Sequence, residues 1–219
     1  MFSITFVWGS CAPRDGSAGN ELLRAQLRRA RMIRMSTTRY AVHHTTILAI
    51  RSAQERRAVI ACDGQATLSN VVIKSTAKKV RKIYNDQVLV GFAGATADAI
   101  TLFERFEHKL KEFSGNLKRA AVELTKDWRT DRVLRRLEAM MAVANSEALL
   151  LISGAGDVIE PDDELLGLGS GGAYALAAAK ALRQNTKLPI EEIARKALEI
   201  AGTLDIYTNQ HISLETLEW

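Results

Sequence analysis

Few residues of this 219-residue chain could carry chemistry. The four histidines are His43, His44, His108 and His211, and no spacing among them supplies the base of a Ser-His-Asp or Cys-His site. His108 lies mid-helix, where a lone histidine usually serves structure. Cys62 ends an apolar run and reads better as a small buried residue than as a nucleophile. The run Gly167-Leu168-Gly169-Ser170-Gly171-Gly172 formally matches the G-x-G-x-x-G of a dinucleotide site. Such a site needs an acidic residue closing a second strand about 20 positions on. Here Glu191 and Glu192 fall in a helix after Pro189, and no strand separates the two helices that follow the glycines. The run also fails G-x-S-x-G, because Leu168 stands where the first glycine belongs. What remains is Thr45-Thr46 opening a strand, Asp63-Gly64, Lys79, Gly94 and Ser170. Taken singly these are a β-favouring pair, a turn and a surface lysine.

The elements that must position them follow from hydrophobic period. TTILAIR (45–51) and AVIAC (58–62) are β-branched runs joined by a polar turn around Gln54-Glu55-Arg56, a hairpin that leads straight into Asp63-Gly64. Short strands are expected at 71–73, about 80–84 and 87–92. Phe103, Phe106, Leu110 and Phe113 then recur at helical spacing, predicting an amphipathic helix over 97–113. A second helix is expected from about 117 to 139, with Leu117, Ala121, Leu124, Trp128 and Leu137 as its apolar stripe. Strands follow at 147–153, 158–159 and 165–168, then helices at 173–183 and 190–202. Pro189 suits the first helical turn, and Glu191 and Glu192 favour its positive end. The order is strands, two helices, strands, two helices. That is α+β segregation, packed as two stacked sheets with a helix pair on each outer face. No Pro/Gly/Ser-rich linker interrupts 45–219, so one domain is expected there.

Composition narrows the function classes. No apolar run approaches the roughly 20 residues of a membrane-spanning helix. Two cysteines exclude a disulfide framework or a cysteine-rich zinc module. The chain has 30 basic and 25 acidic residues. Residues 1–44 hold seven arginines and two acids, so 45–219 carry 23 of each sign. The positive surplus lies entirely in the leader, which removes the electrostatic case for nucleic-acid binding by the body. The leader is Arg-rich and acid-poor, and the spacing of 22–35 predicts an amphipathic helix, the marks of a mitochondrial presequence. It is expected to be removed, leaving a mature chain in the matrix. A functionless N-terminal tail is the plainer alternative, and the chain is expected in the cytoplasm in that case.

Taken together and in order, the blocks TTILAI, DGQATL, AKKV, GFAGA, KDWRTDR and GSGG resemble the HslV family of proteasome-like peptidase subunits, over essentially all of 45–219. The resemblance implies an N-terminal-nucleophile hydrolase fold, a four-layer αββα sandwich, and a threonine-type endopeptidase that degrades unfolded proteins. Thr45 would be the nucleophile and, once first in the chain, its α-amine the base; that amine's reference pKa of about 7.7–8 suits neutral-pH catalysis. Lys79 would place a positive charge nearby and favour the neutral amine, and Asp63 would hold Lys79. Gly94 would offer its N–H to the oxyanion, and Ser170 would bond near the amine. Gly202, Asp205 and Thr208 match positions whose backbone carbonyls bind a structural Na⁺. No cofactor is expected for the chemistry, and ATP would be used only by the partner, the AAA+ unfoldase HslU. Subunits of the family form two stacked six-membered rings, a homo-dodecamer. Neither nucleic acid nor a membrane span is implied. The departures are Cys62 in place of glycine, Ala95 in place of a second glycine, a longer 51–58 turn, and Asp205. Two other readings stay open: a non-catalytic ring subunit of the same fold, and an oxidoreductase using the 167–172 loop.

Overall fold

Strands covered on both faces explain why the first two runs show no polar side. In a computed structural model, β1 (Thr46–Ser52) and β2 (Arg57–Cys62) are buried along nearly their whole length. Leu48, Ile50, Val59 and Ala61 face one apolar layer, while Ile47, Ala49, Ala58, Ile60 and Cys62 face another. Side chains still alternate, but both faces want apolar residues, so the period of two vanishes from the sequence. The structure describes residues 45–68, 70–94, 96–131 and 139–219, without the side chains of 96–99. The leader 1–44, Ala95 and the segment 132–138 that includes Leu137 therefore lie outside the described residues.

β1 pairs antiparallel with β10 (Leu165–Gly169) and with β2, and β2 with β11 (Ser213–Glu218), giving the sheet order β10-β1-β2-β11. The second sheet runs in chain order through β5 (Val80–Ile83), β6 (Val88–Ala93), β7 (Met140–Ala144), β8 (Leu149–Ser153) and β9 (Val158–Ile159), all antiparallel. A separate hairpin, β3 (Ala66–Leu68) with β4 (Val71–Lys74), stands outside both.

Helices α1 (Thr96–Glu112) and α2 (Leu117–Thr130) cover one sheet, packing Phe106, Leu110, Leu124 and Trp128 on Val88, Val90 and Phe92. Helices α3 (Gly172–Asn185) and α4 (Ile190–Leu204) cover the other through Ala175, Ala194 and Leu198 against Leu48 and Val59. Between the sheets, Ile47 and Ile60 meet Leu89, Ala142 and Leu149. This is the expected αββα sandwich. No described helix is long and apolar enough to cross a membrane.

Most expected elements appear within a few residues of their predicted ends. Three strands were not anticipated: β3, β7 and β11. MMAVA of β7 is built of good helix formers, yet it lies between β6 and β8, where ladder bonds on both edges override propensity. In β11, Leu214 and Leu217 sit three apart, which resembles helical spacing, but they face different layers. The second helix stops at Thr130, short of the predicted 139. Asp131 is extended there, at φ −72° and ψ 127°, and its N–H donates to the Asp127 carbonyl. The β1–β2 turn brings Glu55 to α4, where Oε2 accepts the Ile190 N–H at 3.4 Å. Pro189, the residue before the helix, offers no side-chain cap.

Candidate active site

The hairpin register places the start of β1 against the end of β2. Ile47 pairs with Cys62, so Thr46 lies beside Asp63. The Thr46 N–H donates to Asp63 Oδ1 at 2.9 Å, and the Asp63 N–H donates to the Thr46 carbonyl at 3.2 Å. Asp63 is fully buried. Its Oδ1 also accepts Lys79 Nζ at 2.6 Å, and its Oδ2 accepts the Gln65 N–H at 2.7 Å. Two N–H donors and a cation make burial of this carboxylate tolerable. Lys79 is held from its main chain too, since its carbonyl accepts the Phe92 N–H of β6 at 3.1 Å. The expected Asp63–Lys79 pair is thus present, beside the segment that begins with the buried Thr45.

The glycine run comes to the same place from β10. Thr46 pairs with Gly169, whose φ is +84°. A Cβ on Gly169 would stand 1.6 Å from the Thr45 carbonyl oxygen, so no other residue fits. A Cβ on Gly171 would stand 2.3 Å from Thr46 Oγ1. These glycines admit the Thr45–Thr46 main chain and leave no pyrophosphate cradle. After α3 the chain runs into α4 and then β11, which pairs antiparallel with β2, so the βαβ unit of a dinucleotide site is absent among the described residues.

Ser170 reaches a partner the sequence did not suggest. Its hydroxyl donates to Asp205 Oδ2 at 2.8 Å, and Thr208 Oγ1 donates to the same oxygen at 2.5 Å. Thr208 Oγ1 lies 2.6 Å from Thr46 Oγ1, which in turn accepts the Gly171 N–H at 3.0 Å. Asp205 and Thr208 were expected to matter through their carbonyls, yet their side chains belong to this cluster. Thr46 was missed except as a strand residue. Nothing in the spacing of 46, 170, 205 and 208 signals that they meet.

Gly94 directly follows β6 with φ +151°, and a Cβ there would strike the Phe92 ring at 2.8 Å and Ala139 at 3.1 Å. β6 packs directly beneath β1: a Cβ on Gly91 would come 3.0 Å from Ile47 Cγ2. Gly202 and Thr208 lie across the C-terminal end of α4, where a Cβ on Gly202 would be 3.4 Å from the Thr208 carbonyl oxygen. The Asp205 carbonyl accepts the Thr208 N–H at 3.0 Å. Carbonyl oxygens at a helix C-terminus are a donor set suited to a hard cation.

The remaining candidates are poorly suited to the chemistry, although Cys62 and His211 lie close to Asp63 and Gly64. His108 and His211 are exposed. Cys62 is buried in the middle layer, and burial pushes its thiol up to about 11, against the smaller lowering effect of Lys79. A thiol that stays protonated at neutral pH is a poor nucleophile.

Comparison with known proteins agrees with this geometry. The family model described as proteasome subunit matches residues 42–217. Eukaryotic HslV from Trypanosoma brucei is 49% identical, covering 80% of this chain and 100% of that one, with a TM-score of 0.76. Thiobacillus denitrificans BPH, one of whose structures is a complex with epoxomicin, is 17–18% identical with a TM-score of 0.61 and shares the fold.

Proposed function

From the premise that the chain belongs to the proteasome family as an HslV-type subunit, we propose that it is a threonine-type endopeptidase acting through Thr45. The observation that carries this reading is the convergence of Thr45–Thr46, the Asp63–Lys79 pair and the Ser170 loop at one end of the first sheet.

Removal of residues 1–44 converts the Thr45 nitrogen from an amide, which is not basic, to an amine. That amine takes the Thr45 hydroxyl proton while the oxygen attacks the scissile carbonyl. The oxyanion that forms is met by the Gly94 N–H. The amine returns its proton to the leaving nitrogen, and water then hydrolyses the acyl-enzyme. Lys79, held by Asp63, favours the neutral amine electrostatically. The family match begins at residue 42, which leaves residues 1–41 of the leader outside it. The leader's composition supports a mitochondrial destination.

The HslV-type relationship supports a double six-membered ring working with an HslU-type unfoldase. Exposed Val71, Val72 and Ile73 on the β3–β4 hairpin, and Ile206 beyond α4, provide apolar surface for subunit contacts. The carbonyls of Gly202, Asp205 and Thr208 would hold a Na⁺ that braces the end of α4 without entering the chemistry.

The test compares the full chain with a chain made to begin at Thr45. The trimmed chain should cleave unfolded protein and be labelled on Thr45 by a threonine-directed covalent inhibitor, with mass spectrometry confirming the N-terminus. Equal cleavage by the uncut chain, with Thr45 shown to be internal, would overturn the mechanism. A trimmed ring that takes no label would establish the non-catalytic reading instead.

A further inference from the structure

We infer that Thr46 is a positioning residue for catalysis, its hydroxyl joining the nucleophile's segment to the Ser170 loop. The inference rests on the peptidase reading above. Thr46 is completely buried, so it cannot touch substrate. Its side chain nevertheless sits at a junction whose proton directions are determined. A hydroxyl has one proton to donate. That of Thr208 goes to Asp205 Oδ2. In the 2.6 Å contact between Thr46 Oγ1 and Thr208 Oγ1, Thr46 must therefore be the donor. Its lone pair is taken by the Gly171 N–H. The chain runs Gly171 N–H to Thr46, Thr46 to Thr208, and Thr208 to Asp205.

Ser170 donates its own proton to the same carboxylate oxygen. Its Oγ is left with lone pairs only, which suits it to accept a hydrogen bond from a neighbouring amine. Thr46 directly follows the nucleophile, and Gly171 directly follows Ser170. One hydroxyl thus sets the separation of Thr45 from Ser170. The Thr46 main chain is meanwhile held by Asp63, the partner of Lys79. No bulk could replace the hydroxyl's bonds, because Gly171 already has no room for a Cβ beside Thr46 Oγ1 and Thr208 Oγ1.

Thr46→Val keeps the shape but leaves the Gly171 N–H and the Thr208 oxygen without a partner in a buried place. With the trimmed chain and a fluorogenic peptide, Thr46→Val should lower kcat roughly tenfold and move KM by less than about twofold. Thr46→Ser should restore most of kcat, since it restores the hydroxyl. Thr208→Val should act in the same way, with rescue by Thr208→Ser, so the chain can be probed even where Thr46→Val folds poorly. The double valine variant should be no slower than the slower single one, because both break one chain. Wild-type kcat in Thr46→Val, a change confined to KM, a serine variant as slow as the valine, or additive losses would each overturn the inference. Thr45→Ala, run alongside, separates the two levels. Cleavage by it overturns the peptidase reading and this inference with it. An inactive Thr45→Ala beside an unimpaired Thr46→Val sinks the inference alone.

Discussion

The two helix layers are built from different side chains. On the α1/α2 side the core is large: Phe92, Phe103, Phe106, Leu110, Leu124 and Trp128. On the α3/α4 side alanine recurs at 175, 179, 194, 197 and 201. Large side chains hold a helix away from its sheet, so the helices of that layer contribute burial, while Phe92 and Ala139 of the same layer come near Gly94. Small ones let main chain approach main chain. A Cβ on Gly167 would stand 2.1 Å from the Gly172 carbonyl oxygen at the start of α3. That close approach is what lets Gly171 reach the Thr46 hydroxyl. The polar cluster lies on the side covered by α3 and α4, where small residues let main chains meet. Stability and catalysis should therefore respond to different residues.

Thr45→Ala is the sharpest test of that division. It should abolish peptide cleavage and leave the thermal midpoint nearly unchanged, because it removes a hydroxyl and little core volume. Thr45→Ser should keep partial activity. Cleavage by the alanine variant at the wild-type rate would end the comparison. Lys79→Ala should move both quantities, since it leaves Asp63 buried without its cation. A cost of about 3–5 kcal/mol in chemical denaturation is expected, with kcat falling more than KM, and Lys79→Arg should rescue only in part.

Trp128→Ala should be the mirror image of Thr45→Ala. Emptying this fully buried position costs about 3–5 kcal/mol, with kcat of the folded protein unchanged. Trp128→Phe should cost less, since among the described residues the indole N–H has no hydrogen-bond partner to lose. A selective loss of kcat in either variant would show that the large layer shapes the site after all.

The smallest effect belongs to Cys62. Cys62→Ala should leave kcat within about twofold of wild type, an isolated small-side-chain change in the core, and the folded wild type should resist alkylation at pH 8. The folded thiol at about 11 lies above the ordinary 9.0, so the folded chain holds that proton more tightly. Its contribution to stability is complete below about 9 and is lost as pH rises through 11. The stability difference between wild type and Cys62→Ala should fall across that window. Inactivation of a folded Cys62→Ala would revive a cysteine nucleophile.

Parts of this molecule were legible because they depend on neighbours in the chain. The period of Phe103, Phe106 and Leu110 marked α1, Pro189 with Glu191 and Glu192 marked the start of α4, and two β-branched runs around a polar turn marked β1 and β2. The pairing of Asp63 with Lys79 and the primacy of Thr45 were legible only through the resemblance of whole blocks, since each residue alone is ordinary.

Other parts had no local signal. β7 is a strand because β6 and β8 flank it, and MMAVA by itself favours a helix. β11 closes the first sheet from the far end of the chain. The glycines at 169 and 171 suit a phosphate loop as well as they suit close packing, until β10 is laid against Thr45 and Thr46. Asp205 and Thr208 read as main-chain ligands, and their side chains found Ser170 and Thr46 only when α4 ended over β1. The amino-acid sequence by itself determined local conformation, the apolar layers and the stock of reactive groups, because these follow from propensity, period and chemistry. Which hydroxyl faces which carboxylate was decided by tertiary structure, because contacts such as Thr46 with Thr208 span 162 residues and exist only after both sheets and their helices have packed.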